Sequence, residues 1–493
     1  MSETAAPVSA ATDPKKQLRR AMGFWDLLLF NVASVLGPRW IAVAANNGSS
    51  SISLWVLAAV LFFLPTTLIL TELSTRFPEE GGLYVWTKKA FGEFHGFVAG
   101  WTYWVYTFFY FPGLLMASVA MSVYAGGPSA AHLADNRTFL LVGSFLLLFA
   151  AVALNIVGVG IGKWLQNAGG VGTYLPLLML IGMAAYLWRT HGTVTHFTWP
   201  NVMPQWNWDT LNFWPKIAFA YSGLELASSM SEEVRNPETT FPRAIFGSAV
   251  SIVIIYVAAT MALLAILPAH AVDPKAGVFQ ALTTGSTILR IGFFGIIAAV
   301  FVTFGNAGGV GSTVAGVARI PFVVGIDHYM PAIFGKIHPR WRTPWVAMLV
   351  QAGISLAILL ITQLNESADN AYYILVDATN ILYFIPFIYI YLAVIRLAYL
   401  ENRESPGAVL IPGGKPGVWL AGSVATAVTL GAIVLSFVPQ AGEAHKWLFE
   451  TKLVGGTIGG ILLGLVLYWR GARAKAREAA RARSEISGPP RSP

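Results

Sequence analysis

Residues 219–225 read Phe-Ala-Tyr-Ser-Gly-Leu-Glu and lie in the middle of a hydrophobic segment that runs from about residue 213 to 230. The flanking sequence is typical of a membrane-spanning helix, but Gly223 is a poor helix former, so the backbone there opens at low cost. Glu225 places a carboxylate near mid-membrane, where it needs a partner, a proton or water. Opened backbone at this depth occurs only where it lines a cavity or is buried in protein. The stretch therefore predicts a mid-membrane binding site, with close helix packing at Gly223 as the alternative.

The composition is that of a polytopic membrane protein. Hydrophobic residues make up 55% of the 493 residues, charged residues make up 11%, and the mean hydropathy is +0.61, whereas about a quarter of the residues in soluble proteins are charged. We therefore expect an all-α bundle of membrane-spanning helices. Because cysteine is absent, disulfides, thiolate metal sites and cysteine catalysis are excluded.

Apolar runs of about 20 residues, each long enough to cross a bilayer, recur along the whole chain. They predict about twelve transmembrane helices, at 23–45, 52–74, 95–124, 138–158, 165–188, 213–231, 243–268, 288–317, 345–363, 371–398, 417–438 and 452–470.

The predicted organisation divides the chain into six parts. They are a disordered cytoplasmic tail (1–20), a first repeat of spans 1–5 (21–190), an external loop (191–212), a second repeat of spans 6–10 (213–400), spans 11 and 12 (401–470) and a disordered basic cytoplasmic tail (471–493). With the N-terminus inside, 24 of the 32 Lys and Arg residues lie on the inner side, 7 lie outside, and Arg39 lies within the first span. This bias predicts that both termini are cytoplasmic. The net charge of +8 is therefore a topology signal, and we expect no nucleic-acid partner.

The first span contains a second interruption, at residues 34–39, which read Ser-Val-Leu-Gly-Pro-Arg. Pro38 removes a backbone donor and disfavours helix at Gly37, so the helix should break there. Arg39 is a cation at membrane depth and needs a partner or water. Interrupted spans in corresponding positions of two halves are typical of inverted-repeat transporters. Because the first and sixth spans stand five apart, the second half should be inverted relative to the first.

Several motifs together resemble the amino acid–polyamine–organocation superfamily of transporters over roughly residues 20–470. Besides residues 219–225, they are Glu-Val-Arg-Asn-Pro-Glu at 233–238, Phe-Pro-Arg-Ala-Ile at 241–245, the run from Thr71 to Trp86 with its Phe-Pro-Glu-Glu-Gly-Gly, Arg-Ile-Pro-Phe at 319–322, His-Pro at 338–339 and Arg-Thr-Pro at 342–344. Within the superfamily the chain looks most similar to the glutamate/GABA antiporter branch, and the plant-type polyamine transporters come second.

The resemblance implies a five-plus-five inverted repeat with two added spans and a substrate held between the broken first and sixth helices. The candidate substrate-binding residues are Ser34, Val35, Leu36, Gly37, Arg39, Thr107, Phe111, Phe219, Ala220, Tyr221, Ser222, Gly223, Asn306 and Asp377. Phe219 matches the aromatic residue that the family stacks on its substrate, and it is also a candidate gate. The family usually holds a substrate carboxylate on backbone N–H groups at the first break, and Pro38 alters that pocket because it has no N–H.

Three charged or polar groups keep alternative roles. Arg39 either binds a carboxylate of an acidic substrate or forms a structural pair with Asp377 or Glu225. Glu225 either carries a proton that couples transport to pH or hydrogen-bonds the unwound backbone. Ser312 and Thr313 lie where sodium-coupled relatives place ion ligands, but hydroxyls bonded to their own helix carbonyls are the favoured interpretation. Coupling by protons, sodium or pure exchange stays open.

The sequence thus predicts a secondary active transporter, either a proton-coupled symporter or an exchanger, of amino acids or their decarboxylated amines. The alternatives are a polyamine uptake transporter and a transport-dead nutrient sensor. No metal-ligand cluster, catalytic triad or phosphate-binding loop is visible, so an enzyme is disfavoured and no cofactor is expected. The expected partners are a small-molecule substrate, membrane lipid and possible coupling protons, the expected location is the plasma membrane, and the oligomeric state is left open.

Overall fold

The computed structural model describes residues 20–204, 208–274, 276–365, 368–401, 407–438 and 446–486. Regular structure within these ranges is helical, and the β-pairing they contain is one isolated bridge between Met22 and Val234. The predicted tail at residues 1–19 and the last residues, 487–493, lie outside the described residues.

The helices of the first half carry spans 1 to 5. They are α1 (Phe24–Val35), α2 (Pro38–Asn46), α3 (Ser51–Ala58), α4 (Leu64–Arg76), α5 (Leu83–Phe91), α6 (Glu93–Ser122), α7 (Arg137–Val157) and α8 (Val159–His191). A π-helical turn at Ala59–Phe63 joins α3 to α4 as one span.

The helices of the second half carry spans 6 to 12. They are α9 (Trp199–Val202), α10 (Trp208–Ala220), α11 (Glu225–Ser228), α12 (Pro237–Ile266), α13 (Gly277–Ile288), α14 (Phe293–Ile326), α15 (Trp345–Asn365), α16 (Ala368–Leu400), α17 (Gly414–Ser436) and α18 (Lys446–Ile486).

These helices reproduce the predicted span pattern. In the described part of the chain, 10 helical segments are long and apolar enough to cross a membrane, and a shorter apolar helix covers Trp345–Ile361. The interrupted segment formed by α10 and α11 supplies the remaining span. The prediction of an all-α polytopic membrane protein with about twelve spans is confirmed.

Both predicted helix breaks are present, and they face each other. Between α1 and α2 the backbone is extended at Leu36 (φ −75°, ψ 106°) and at Gly37 (φ −118°, ψ 121°). Between α10 and α11, Gly223 adopts a φ of +123°, which strongly favours glycine. A Cβ atom on Gly223 would also lie 2.9 Å from the carbonyl oxygen of Ser34. Both interpretations of Gly223 therefore apply: it opens the helix of the sixth span, and its missing side chain allows the first-span break to pack closely against it.

Glycines bring the helices around the breaks together. A Cβ atom on Gly169 of α8 would overlap the Cα of Gly308 of α14, and the reverse also holds. Such small-residue contacts let membrane helices approach closely where lipid provides no hydrophobic driving force. Helix α1 packs against α8, α12 and α14, so the first break is enclosed at the centre of the bundle.

The C-terminal segment differs from the sequence-based expectation. Disorder was predicted from Gly471, but α18 continues to Ile486, so that prediction is wrong over residues 471–486. The segment is rich in Ala, Arg, Glu and Lys, which are good helix formers, and it extends an existing helix without a new nucleation step. Lys475 also contacts Glu93 at the start of α6, at 3.0 Å.

Candidate functional site

Three small cavities lie around the two breaks. Their volumes are about 30, 10 and 20 Å³, each enough for one or two water molecules. All three are lined by Trp40 of α2 and Tyr110 of α6. The site is therefore collapsed around its aromatic side chains, and it has to expand before a solute of amino-acid size can enter.

Most of the predicted binding residues line these cavities. The cavity of about 30 Å³ is bordered by Ser34, Val35, Leu36, Gly37, Arg39 and Asn306. Arg39 and Phe219 border the cavity of about 10 Å³, and Phe219, Ser222 and Gly223 border the one of about 20 Å³. The first and sixth spans and α14 thus meet as the sequence predicted.

The face of α6 that borders the cavities is offset by one residue from the face that the sequence predicted. Thr107 donates to the carbonyl of Trp104 at 2.6 Å and accepts from Gln351 of α15 at 3.0 Å, and Phe111 is fully buried. Neither lines the three cavities, whereas Tyr110 lines all of them. The positions predicted for Thr107 and Phe111 are corrected accordingly. Because α6 is apolar on nearly every side, its sequence has no polar stripe that could fix which face points inward.

Two residues of the sixth-span break point away from the cavities. The hydroxyl of Tyr221 donates to the carbonyl of Trp55 at 3.2 Å, and its ring packs on Phe63 with the centroids 4.5 Å apart. The carbonyl of Ala220 accepts a hydrogen bond from Tyr256 at 2.9 Å. Both residues therefore help to hold the break in place, and the structure does not bring their side chains to the cavities.

Tyr256 of α12 connects the two breaks, and sequence reasoning missed it. Its hydroxyl can donate to the carbonyl oxygen of Val35, 2.7 Å away, or to that of Ala220, 2.9 Å away. It also accepts a hydrogen bond from the N–H of Gly37 at 3.1 Å. The Gly37 N–H is thereby occupied, and Pro38 has none. The seventh span contains a single tyrosine, which was the available signal, but nothing in the sequence showed where its hydroxyl pointed.

Arg39 borders two cavities and has no acidic partner within the part of the chain that the structure describes. Its side chain is almost fully buried, at 5% exposure, and its guanidinium carbon lies 4.5 Å from the ring centre of Trp40 and 5.1 Å from that of Tyr110. Among the described residues, no carboxylate lies within ion-pair distance of this guanidinium. Of the two interpretations of Arg39, the structural pair with Asp377 or Glu225 is therefore not formed.

Asp377 instead faces a cation that sequence reasoning passed over. Lys216 of α10 is buried, at 9% exposure, and it interacts electrostatically with Asp377 of α16. Asp377 borders none of the three cavities, although its neighbours Leu375, Val376 and Thr379 do. An intramembrane lysine is a signal in its own right, and it could have been found in the sequence.

Glu225 is surrounded by hydrogen-bond donors. Its Oε1 accepts from the hydroxyls of Tyr103 and Tyr383 at 2.6 and 2.7 Å, and its Oε2 accepts from the N–H of Gly223 at 3.0 Å. The carboxylate thus ties the sixth-span break to α6 and α16. This geometry favours the backbone-bonding interpretation of Glu225, because each of these partners donates and an ionised carboxylate only accepts.

Phe219 lies between the aromatic residues of three helices. Its ring centre is 5.5 Å from that of Trp40, 5.9 Å from that of Tyr110 and 5.0 Å from that of Tyr383.

On α14, the hydroxyls of Ser312 and Thr313 donate to the carbonyls of Gly308 and Gly309 at 2.9 and 3.0 Å. These two hydroxyls therefore satisfy their own helix, as the sequence favoured.

Comparisons with known proteins agree with this arrangement. A family model described as amino acid permease matches residues 22–458. An uncharacterised transporter of Legionella pneumophila is 26% identical over 445 residues, which cover 89% of this chain and 95% of the relative. The serine/threonine exchanger SteT of Bacillus subtilis is 27% identical, covering 71% and 79% of the two chains. The probable agmatine/putrescine antiporter AguD of Lactococcus lactis is 24% identical, covering 92% and 95%.

A solved structure shares the fold. The crystal structure of MhsT in complex with L-phenylalanine superposes with a TM-score of 0.62 at 13% identity, covering 85% of this chain and 99% of that one. This likeness confirms the fold predicted from the paired breaks and the family resemblance, a five-plus-five inverted repeat whose first and sixth helices are discontinuous.

Proposed function

Because the chain belongs to the amino acid permease family, we propose that it is a secondary active transporter that moves an amino acid or a decarboxylated amine by alternating access. The observation that carries the proposal is the pair of facing helix breaks around a buried Arg39. Backbone opened at membrane depth is tolerated where it lines a cavity, and in secondary transporters it forms the binding site. The protein is thus a transporter rather than an enzyme.

We propose further that the substrate carries a carboxylate and that Arg39 binds it. The guanidinium lacks a carboxylate partner among the described residues, and an arginine binds carboxylates through two parallel charge-assisted hydrogen bonds. The backbone alternative is weakened because Pro38 has no N–H and the Gly37 N–H is bonded to Tyr256. The rings of Trp40, Tyr110 and Phe219 would then enclose the rest of the substrate.

Uptake of polyamines is the second candidate, and the similarity to the probable agmatine/putrescine antiporter AguD favours it. A polyamine needs carboxylates that are free to bind ammonium groups. Here Asp377 faces Lys216, and Glu225 already accepts three hydrogen bonds. The charges around the cavities therefore support a carboxylate-bearing substrate over a polyamine. The assignment to the glutamate/GABA branch stays a prediction.

Glu225 and Phe219 are proposed as gating residues on opposite sides of the site. The layer formed by Tyr103, Glu225 and Tyr383 joins α6, the sixth-span break and α16 by hydrogen bonds of 2.6 and 2.7 Å. Separating α6 from α16 on that side requires these bonds to break. Phe219 closes the cavities from the α10 side through its contacts with Trp40 and Tyr110.

We propose that the protein lies in the plasma membrane and, on the strength of the Lys and Arg distribution, that both of its termini are cytoplasmic. The chain has no cysteine, so single cysteines can be labelled without background. A membrane-impermeant maleimide should label Thr198→Cys, in the exposed segment between α8 and α10, in intact cells. Arg473→Cys, on exposed α18, should label only after permeabilisation, and labelling in the opposite sense would reverse the orientation.

Reconstitution into liposomes tests the function. Purified protein should exchange labelled amino acids or amines from a panel of glutamate, GABA, neutral amino acids, agmatine and putrescine. If it moves none of them under any ion gradient, the transporter proposal fails, and thermal stabilisation by a ligand without flux would then support a nutrient sensor.

The role of Arg39 is tested in the same system. We predict that Arg39→Gln lowers the affinity for carboxylate substrates about 10-fold or more, the loss expected for a charge-assisted pair. Arg39→Lys should recover part of the loss, because it keeps the charge without the bidentate geometry. Arg189→Gln, at an exposed position on α8, is the matched control. Unchanged affinity in Arg39→Gln would remove the carboxylate assignment.

A further inference from the structure

A buried charged cluster lies on the face of the molecule where the described part of the chain begins, at residues 20–22. There the N–H groups of Ala21 and Met22 donate to the carbonyl of Glu233 at 2.9 and 3.1 Å, and the N–H of Arg235 donates to the carbonyl of Met22 at 2.9 Å. The N–H of Gly81 donates to the carbonyl of Ser229 at 3.2 Å. The segment before α1 and the loop between α4 and α5 are thereby fastened to the segment between α11 and α12.

Arg319 of α14 contacts the same segments through two carboxylates, those of Glu233 and Glu80. Its Nη2 lies 2.8 and 3.0 Å from the two carboxylate oxygens of Glu233, and its Nε lies 3.8 Å from Oε1 of Glu80. The other oxygen of Glu80 accepts from the N–H of Glu232 at 3.1 Å. The side chains of Glu80, Glu233 and Arg319 are essentially inaccessible to solvent.

The charges in this cluster do not balance. Two carboxylates face one guanidinium, so the fully ionised cluster would bury a net negative charge, which is costly without a compensating partner. Among the described residues, Oε1 of Glu80 and Nε of Arg319 have no hydrogen-bond partner. One proton bound to either carboxyl restores neutrality, as it does where two carboxylates in a confined site cannot both ionise.

Burial and the neighbouring carboxylates favour the protonated form, and Arg319 opposes them. Burial and the negative charge of Glu233 raise the pKa of Glu80 well above its usual value, Arg319 opposes this, and Glu232 adds to the rise. Burial also raises the pKa of Glu233, and Arg319 counteracts it. Glu79, one residue before Glu80, is half-exposed and paired with Lys89 at 3.0 Å, so it is a suitable control position.

We propose that Glu80 and Glu233 form a proton-binding site that is occupied while this face is closed, and that opening the face hydrates the pair and releases the proton. The inference rests on the proposed alternating access, in which this face is cytoplasmic. Proton binding then favours the closed face, and a rise in internal pH favours its opening. This site is distinct from Glu225, whose oxygens already accept three hydrogen bonds.

The transport experiment compares wild type, Glu80→Gln and Glu79→Gln in liposomes of varied internal pH. Wild type and Glu79→Gln should exchange substrate several-fold faster at an internal pH of about 8 than at about 6, because one titrating group changes its occupancy up to about 10-fold per pH unit. In Glu80→Gln the rate should vary less than about 2-fold over the same range, because the amide mimics a permanently protonated carboxyl. Wild-type exchange that ignores internal pH, or a Glu80→Gln variant with the wild-type pH profile, would overturn the proposal.

An infrared measurement tests the proton site without transport. The difference spectrum of wild type minus Glu80→Gln at neutral pH should contain the C=O stretch of a protonated carboxyl, and that of wild type minus Glu79→Gln should not. A missing band would refute the bound proton even if transport is normal. Should Glu80→Gln fail to fold, Glu233→Gln replaces it in this measurement. Conversely, a chain that transports nothing but shows the band would refute only the proposed function.

Discussion

At the scale of single residues, the hydroxyl of Tyr256 fixes both helix breaks. At the first break it lies 2.7 Å from the carbonyl oxygen of Val35 and 3.1 Å from the backbone nitrogen of Gly37. At the sixth-span break it lies 2.9 Å from the carbonyl oxygen of Ala220. Its one hydrogen can serve only one carbonyl at a time, while its lone pairs accept from Gly37. The residue therefore couples the positions of the first and sixth spans and removes one backbone donor from the carboxylate pocket.

Tyr256→Phe should lower the free energy of unfolding by about 1–3 kcal/mol, because the partly buried N–H of Gly37 and the buried carbonyls of Val35 and Ala220 lose their partner. Thermal unfolding in detergent measures this loss. Tyr186→Phe, at an exposed position on α8, is the control and should stay within about 0.5 kcal/mol of wild type. Equal stability of the two variants would show that the Tyr256 hydroxyl does not hold the breaks.

At the scale of elements, the contact between α8 and α14 positions the wall of the site. Gly169 of α8 and Gly308 of α14 are so close that a Cβ atom on either one would overlap the backbone of the other. Helix α14 also carries Asn306, which borders the largest of the three cavities. Changing the separation of these two helices therefore changes the site, even though neither glycine contacts a cavity.

Gly308→Ala should destabilise the protein by about 1–3 kcal/mol or more, because the added methyl group overlaps backbone that cannot rotate away. Gly182→Ala is the matched control, since it lies in α8 with open space around its Cβ position. It should be neutral or stabilising by up to about 1 kcal/mol, the helix propensity gained over glycine. Thermal unfolding of the two variants decides, and a neutral Gly308→Ala would contradict the close packing.

At the scale of the whole molecule, the cluster of Glu80, Glu233 and Arg319 makes closure of one face depend on pH. The pKa values of both carboxyls are raised by burial in the folded state, so the folded chain binds protons more tightly than the unfolded chain. The stability they contribute is fully present below the usual value of 4.5 and is lost as the pH rises through the raised folded value.

Measured from about pH 5 to about pH 9, the melting temperature of wild type should therefore fall as the pH rises, because the raised carboxyls of the folded chain release protons that the unfolded chain has already lost. Glu80→Gln should flatten this slope, because it removes one of the titrating groups, and Glu79→Gln should not. Melting curves of the three proteins across this range make the comparison. A slope in Glu80→Gln as steep as that of wild type would assign the pH dependence to other groups.

The number of spans, the two breaks and the transporter class were readable from the sequence. Span length and hydropathy are set by the thickness of the bilayer, and breaks at Pro38 and Gly223 follow from local backbone chemistry. These features depend on neighbours in the chain, so a single sequence contains them. The resemblance to amino acid transporters added the positions of the candidate substrate-binding residues, most of which border the cavities.

The tertiary structure alone decided which side chains meet. Tyr256 bonding to both breaks, Tyr110 rather than Thr107 at the cavities, Lys216 facing Asp377 and the cluster around Arg319 each join residues far apart in sequence. Helices buried in a bundle are apolar on every side, so their sequences carry no periodicity that tells which face points inward. That choice is made by close packing with neighbouring helices. It leaves Arg39 at the site with no carboxylate partner among the described residues, and it places Glu80 and Glu233 around the one guanidinium of Arg319.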